Sequence, residues 1–489
     1  MNRHNLFGHL ALAIAIIILA AFIGQMRHIN WHSDDRPVVR VEPQQPAAAP
    51  EDADKDDSDE AKDTDKDDSE VLVRFKPGTS DETINRITAQ LNDRIEDRFE
   101  NIDKEEMVIA DEDGLDANEV AAEYRNQPEV LYAEPNVEIN LDPSDGDVGE
   151  AGDADDAATR TFNHAHPSDP MFDEQWSLDN HGTRGGKEGA DISAVKAWEK
   201  TQGSQKVVVA VLDTGVDYTH ADLINNIWTR PAGMAPYHDN ELGDFDDAHG
   251  FDASDMDGDP MDDNGHGTHC AGIVGAEGDN NDGIAGVNWK VEIMPLKFLD
   301  ASGSGSVKDA IECINYAIAR KQAGVNLRII SASWGSTMYS RALEDAIKRA
   351  GDEGILFVAA AGNSSSDNDR RPHYPSNYNL PNVISVAALN RKDELASFSN
   401  WGVKSVHIAA PGAEILSTWP NNQYEEHSGT SMATPEISGV AALVLSLNPD
   451  MPVKDLRERL LTSVDKLPAL EGRIASGGRI NAAKAVKAE

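Results

Sequence analysis

Cysteine is nearly absent: 489 residues contain two, Cys270 and Cys313. Two thiols do not make a disulfide framework. A single bridge between them stays open, because sequence separation says nothing of the Cα distance it would need. Basic residues are scarce too, 43 Lys and Arg against 86 Asp and Glu, for a formal net charge of -43. So acidic a chain repels nucleic acid, and no nucleic-acid partner is expected. The helical His-Glu-x-x-His of zinc peptidases is missing, and the His266/His269 pair lacks the third ligand that zinc would need. An EF-hand is excluded as well. The aspartates 252, 255, 257 and 259 have the wrong spacing, no Glu closes their loop, and no helix pair flanks it.

Composition divides the chain unevenly, and its length leaves room for about three domains. Residues 6–24 are apolar apart from His9 and follow Arg3 and His4. That is close to the length of a membrane span, so residues 1–26 read as a signal peptide or a signal anchor. No clear small-x-small cleavage site follows, which favours the uncleaved anchor. The basic end would stay in the cytoplasm and the rest would be exported, either membrane-anchored or secreted. Residues 51–70 and 142–156 are rich in Asp and poor in apolar side chains, so they cannot offset ordering entropy and read as disordered linkers. The linkers are placed at 27–69 and 142–166.

Between them, residues 71–75 read as a strand, Pro77-Gly78 as a turn, and Ile84, Ile87 and Leu91 as one helix face. Strands at 95–99, 107–110 and 130–133 and a second helix opening at Asp116, with Glu119 completing a capping box, give a small α+β domain over 70–141. From 167 to 489, apolar strand-like runs alternate with helical patterns, as a parallel α/β sheet requires. The strands are expected at 207–212, 329–331, 355–360, 383–387 and 406–409. The helices are expected at 307–320, 341–350, 432–447 and 453–463.

Three motifs carry the chemistry: Leu212-Asp213-Thr214-Gly215-Val216-Asp217, Asn264-Gly265-His266-Gly267-Thr268-His269 and Gly429-Thr430-Ser431-Met432-Ala433-Thr434-Pro435. Taken singly, Asp213 is a turn cap and Ser431 a helix N-cap. Taken together they supply what a neutral hydroxyl needs to become a nucleophile, a base to take its proton and a carboxylate to orient that base. Asp, His and Ser in that chain order are the subtilisin order of the triad.

On these motifs the chain resembles the subtilisin-like serine proteases from about 170 to 488. The resemblance implies an α/β, three-layer fold with a mainly parallel central sheet, preceded by a ferredoxin-like propeptide inhibitor. It implies a serine endopeptidase made as a zymogen, acting on protein or peptide substrates and bound by its own propeptide. The alternatives are a dedicated processing protease and a non-catalytic binding protein on the same fold. It implies Asp213, His266 and Ser431 as the triad, with His269 structural. Residues 357–363 resemble the family's oxyanion segment, which assigns Asn363 and the Ser431 amide to the developing charge. Substrate would be added as a strand between Ser333-Trp334-Gly335 and the edge at Gly303, Ser304 and Gly305. His373 falls at the floor of the pocket for the residue preceding the cut.

No cofactor is implied for catalysis, but structural calcium is. One site would use Asp252, Asp255, Asp257 and Asp259 with the Met261 carbonyl. A second would use Asp222, Asn280 and Asp282 with Asp169 or Gln175. Residues 478–483 resemble the family's closing helix, with no further domain expected beyond it. One departure stands out: relatives often read Thr-Pro-His where this chain has Thr434-Pro435-Glu436.

Overall fold

The computed structural model describes residues 69–99, 105–143, 166–239 and 243–487. The apolar run at 6–24, the acidic stretch at 27–68 and most of the second linker lie outside them.

The small domain is a four-stranded antiparallel sheet in which Glu70–Phe75 lies between Glu106–Asp111 and Val130–Pro135, with Asp93–Arg98 at the far edge. Alternation decides what each face meets. Val71, Val73 and Phe75 pack with Ile84, Ile87, Val120 and Tyr124 of the two helices, Asp81–Leu91 and Ala117–Arg125. Leu72, Val108 and Tyr132, on the opposite face, join a core built mainly by the large domain. Both faces are buried, so Val71-Leu72-Val73 reads as a continuous apolar run. The capping box at Asp116 and Glu119 forms as expected.

The large domain is built on a nine-stranded sheet. Its strands pair in parallel except for Val464–Lys466, which runs antiparallel to Gly478–Ile480. Gly203–Asp213 sits inside it, flanked by Lys290–Lys297 and Leu327–Ala332. Val207, Val209 and Val211 meet the helices His266–Gly275 and Thr430–Leu447 on one face. Val208, Ala210 and Leu212 meet the helices Val307–Gln322 and Arg341–Asp352 on the other. Three layers follow from that alternation.

Two local expectations change. Residues 478–483 are not one helix: Gly478–Ile480 is a strand, and only then does Asn481 cap the short helix Ala482–Ala485 with its side chain. The strand Lys290–Lys297 escapes a reading by pattern because Pro295 argues against an interior strand. Proline is tolerated because the neighbour Phe251–Asp252 pairs only with Leu296 and Lys297. Among the described residues, Thr430–Leu447 is the one helix long and apolar enough to cross a membrane. It is 89% buried in the core.

Candidate active site

Asp213 is the last residue of its strand and is fully buried, in the region beyond the carboxyl ends where parallel sheets place their sites. His266 opens the helix His266–Gly275, after Gly265 takes a φ of 118° that a side chain would strain. The His266 Nδ1 and Asp213 Oδ1 atoms are 2.7 Å apart. Burial pulls the imidazole pKa down, and the adjacent Asp213 carboxylate more than reverses this, leaving it well above its ordinary value.

Asp262 holds the two motifs in register. Its Oδ1 accepts from the Thr214 hydroxyl at 2.9 Å and the Gly265 amide at 2.8 Å, and its Oδ2 from the Thr268 amide at 2.9 Å. The sequence reading missed it because it stands in an acidic run where one Asp looks like another. Its place four residues before His266, at the mouth of a glycine-bounded turn, is the signal that could have found it.

Ser431 lies in the first turn of Thr430–Leu447, where amides have no intrahelical acceptor. Proline at 435 removes the N–H that would normally bond the Ser431 carbonyl. That carbonyl instead accepts from the Ser333 hydroxyl at 2.8 Å and from the Cys270 thiol at 3.5 Å. The Ser431 hydroxyl donates to the Ser333 carbonyl at 3.0 Å. The Oδ1 of Asn363 accepts from the Thr430 amide and hydroxyl, both at 2.9 Å, which turns its Nδ2 toward the cleft. Ser431, His266 and Asn363 line one cavity of about 280 Å³. Such a set can take a proton from a hydroxyl and meet a negative oxygen with two N–H groups.

The chain's own residues 138–143 fill this cleft. Glu138–Asn140 pairs antiparallel with Ser304–Ser306, the Leu141 amide donates to the Gly303 carbonyl at 2.9 Å, and Asn140 bridges to Gly335. The Pro143 carbonyl accepts from Asn363 Nδ2 at 3.4 Å. The linker expected from 142 thus begins inside the cleft. Gly303, Ser304, Gly305 and Gly335 form the two edges through their backbones. Trp334 turns away: fully buried, it donates its indole N–H to the Leu212 carbonyl at 2.8 Å. Ser333 is occupied in positioning Ser431.

His269 is buried 3.1 Å from the Ile415 carbonyl and 3.0 Å from that of Glu425, and burial, then His427, holds its pKa well below the ordinary value. Both cysteines are free and buried.

The expected calcium ligands divide. Among the described residues, the one group of three or more His, Cys, Asp or Glu side chains whose ligand atoms all lie within 4.8 Å of one another is Asp213, His266 and Cys270. Asp252, Asp255, Asp257 and Asp259 form no such group, and Asp252, Asp257 and Asp259 each already accept a hydrogen bond. Asp252 accepts from Ser254 and Asp255, Asp257 from Asp259, and Asp259 from the Tyr218 hydroxyl. At the other place Asp222 accepts from Asn280 Nδ2 at 2.7 Å and the Ile284 amide at 3.0 Å. The side-chain oxygens of Asn280 and Asp282 accept from amides of their own loop. Burial pushes Asp222 up to about 7 and Asp169 to about 6.

Residues 204–477 match the model of the subtilase family. The chain belongs to that family. It is a subtilisin-like serine protease. Residues 54–136 match the fervidolysin N-terminal prodomain, so the small domain belongs to a prodomain and the enzyme has a zymogen's architecture. A thermophilic serine proteinase of a Bacillus species is 33% identical over 85% of this chain and 87% of its own length. Thermitase of Thermoactinomyces vulgaris is 36% identical over 66% of this chain and 99% of its own. A solved protease of Pseudoalteromonas arctica superposes with a TM-score of 0.54 at 29% identity, covering 65% of this chain and 98% of its own.

Proposed function

We propose that Ser431 is the nucleophile of this protease, His266 its general base and Asp213 the group that orients and stabilises the imidazolium, and that the zymogen cuts itself. The observation that carries the reading is the prodomain tail, laid as a strand into the cavity lined by Ser431, His266 and Asn363. The Ser431 hydroxyl turns from Ser333 toward His266 and attacks the carbonyl carbon as its proton passes to His266 Nε2. The oxyanion is met by Asn363 Nδ2 and the Ser431 amide. The C–N bond breaks as His266 returns the proton to the departing nitrogen, and water then repeats the sequence on the acyl-enzyme.

Ser431→Ala is expected to abolish both peptide hydrolysis and prodomain removal. Asn363→Ala should lower turnover by about 10²- to 10³-fold, the range known for the oxyanion donor of subtilisin itself, a member of this family. The mature N-terminus should lie between Leu141 and Pro167, in polar chain of the kind proteases select. Normal maturation of Ser431→Ala in a protease-free host rejects self-processing, and hydrolysis retained by it rejects the nucleophile.

Of the two expected places, Asp222 offers the better support for a structural calcium. Two buried carboxylates, Asp222 and Asp169, face the same loop, and Asp169 Oδ1 is buried without a hydrogen-bond partner. A cation would relieve both, with Gln175, Asn280 and Asp282 as neighbouring oxygen donors. Calcium there would supply rigidity and take no part in proton transfer. The loop at 252–261 fits less well, Asp252, Asp257 and Asp259 each already accepting a hydrogen bond. Chelation should lower the melting temperature of the mature protein and its activity together. Melting and activity that ignore excess chelator would remove the ion from this reading.

The apolar run at 6–24 behind Arg3 and His4 supports export, with the chain anchored in or released from a membrane. Fractionation that finds the full-length protein in the cytoplasm would overturn it.

A further inference from the structure

Asp142 of the prodomain tail lies in the cavity lined by Ser431, and its carboxylate meets the imidazole of His373. The His373 Nε2 atom lies 3.1 Å from Asp142 Oδ2 and 3.3 Å from Oδ1, with side-chain exposures of 7% and 14%. Among the described residues, Asp142 is the one ion-pair partner of His373. On the ring's other side Ser376 Oγ lies 3.4 Å from Nδ1. A hydroxyl has one proton, and that of Ser376 goes to the His373 carbonyl at 2.7 Å. Ser376 thus does not spend its proton on the ring, which is left to present Nε2–H to the Asp142 carboxylate.

The site is also shaped for the ring. A Cβ at Gly335 would stand 2.1 Å from His373 Cε1, and one at Gly362 would stand 3.0 Å from Cδ2. Two glycines thus let the imidazole lie flat against the pocket walls. The strand segment carrying it is fixed by reciprocal 2.7 Å bonds between Ser336 and Tyr374. In a chain with a net charge of -43, a buried ring N–H facing a carboxylate is against the prevailing composition.

We infer that this enzyme selects Asp or Glu as the residue preceding the cut, with His373 as the specificity-determining group. The inference rests on the proteolytic reading above and names the substrate class for that same site. A buried charge-assisted pair discriminates strongly, because a substrate without the carboxylate leaves the imidazole's N–H unpaired. The Pro143 carbonyl, one residue beyond the pocket, is the one that approaches Asn363. In the zymogen the Asp142 carboxylate is thus held at His373 without its own carbonyl being the one at Asn363.

The test is a series of chromogenic peptides, identical except for the residue preceding the cut: Asp, Glu, Asn, Gln, Leu and Phe. Each is assayed with the matured wild type and with His373→Gln. In the wild type, kcat/KM for Asp should exceed that for Asn by about tenfold or more. In His373→Gln that ratio should fall toward one, and because it is internal to each enzyme, partial misfolding cancels. A wild type that cuts after Leu or Asn as well as after Asp overturns the inference, as does a variant that keeps the acidic preference. If the wild type cuts none of the six, the proteolytic reading fails separately. Calorimetric binding then decides the pocket: a peptide ending Ile-Asn-Leu-Asp should bind the wild type at least about tenfold tighter than one ending Ile-Asn-Leu-Asn, and equal binding overturns it.

Discussion

Glu436 is fully buried in the helix that carries Ser431, and neither carboxyl oxygen has a hydrogen-bond partner. Burial pushes its pKa up to about 8, against an opposing pull from nearby Ser177. A carboxyl that binds its proton more tightly folded than unfolded contributes fully below its ordinary value of 4.5 and loses that contribution as pH climbs toward about 8. Each pKa unit is worth about 1.4 kcal/mol, so the loss reaches several kcal/mol. Glu436→Gln, neutral at every pH, should flatten this decline. Thermal melts between pH 5 and 8, made in the Ser431→Ala background to prevent autolysis, should show the variant gaining on its parent as pH rises. Parallel curves would mean that Glu436 finds a partner in solution. The sequence marked this position as a departure, but only packing shows that it is an acid held against water.

At the scale of the elements, most was legible. The three motifs come together at one cavity, and strands such as 383–387 fall close to their patterns, because parallel strands covered on both faces leave unbroken apolar runs. What escaped was whatever depends on a partner distant in sequence. Lys290–Lys297 is a strand because of its neighbours, Asp262 is an organiser because two motifs meet on it, and Trp334 is core despite its place in an edge motif. Pro435 is another such case. Its missing N–H frees the Ser431 carbonyl for Ser333 and Cys270. Pro435→Ala restores an intrahelical donor that competes for that carbonyl. The expected result is a helix at least as stable by melting, with kcat reduced about tenfold or more through displacement of Ser431. Unchanged kcat would show that the serine is placed without this device.

Across the whole molecule, the prodomain is held by more than its tail. Glu134 caps the helix Arg341–Asp352, accepting from the Ser340 hydroxyl at 2.6 Å, the Arg341 amide at 3.0 Å and the Ala342 amide at 3.1 Å. A carboxylate on free amides at a helix start is stabilised by their aligned dipoles. The Arg74 and Tyr132 side chains both reach Asp345 on that helix, at 3.3 Å. Glu134→Ala should shorten the lag before full activity during maturation by about tenfold or more, since each charge-assisted bond lost costs roughly 1.5–3 kcal/mol. A lag of unaltered length would place the hold elsewhere.

The pairing of 138–140 between two backbone edges also limits what the enzyme can reach. A guest must surrender several consecutive residues from its own structure before the edges can hold it, and a well-folded protein seldom offers them. Its rate of digestion would then follow how often it opens locally, more than how many acceptable sites its sequence contains. By geometry alone, such a cleft surveys its surroundings for chains that have begun to come apart.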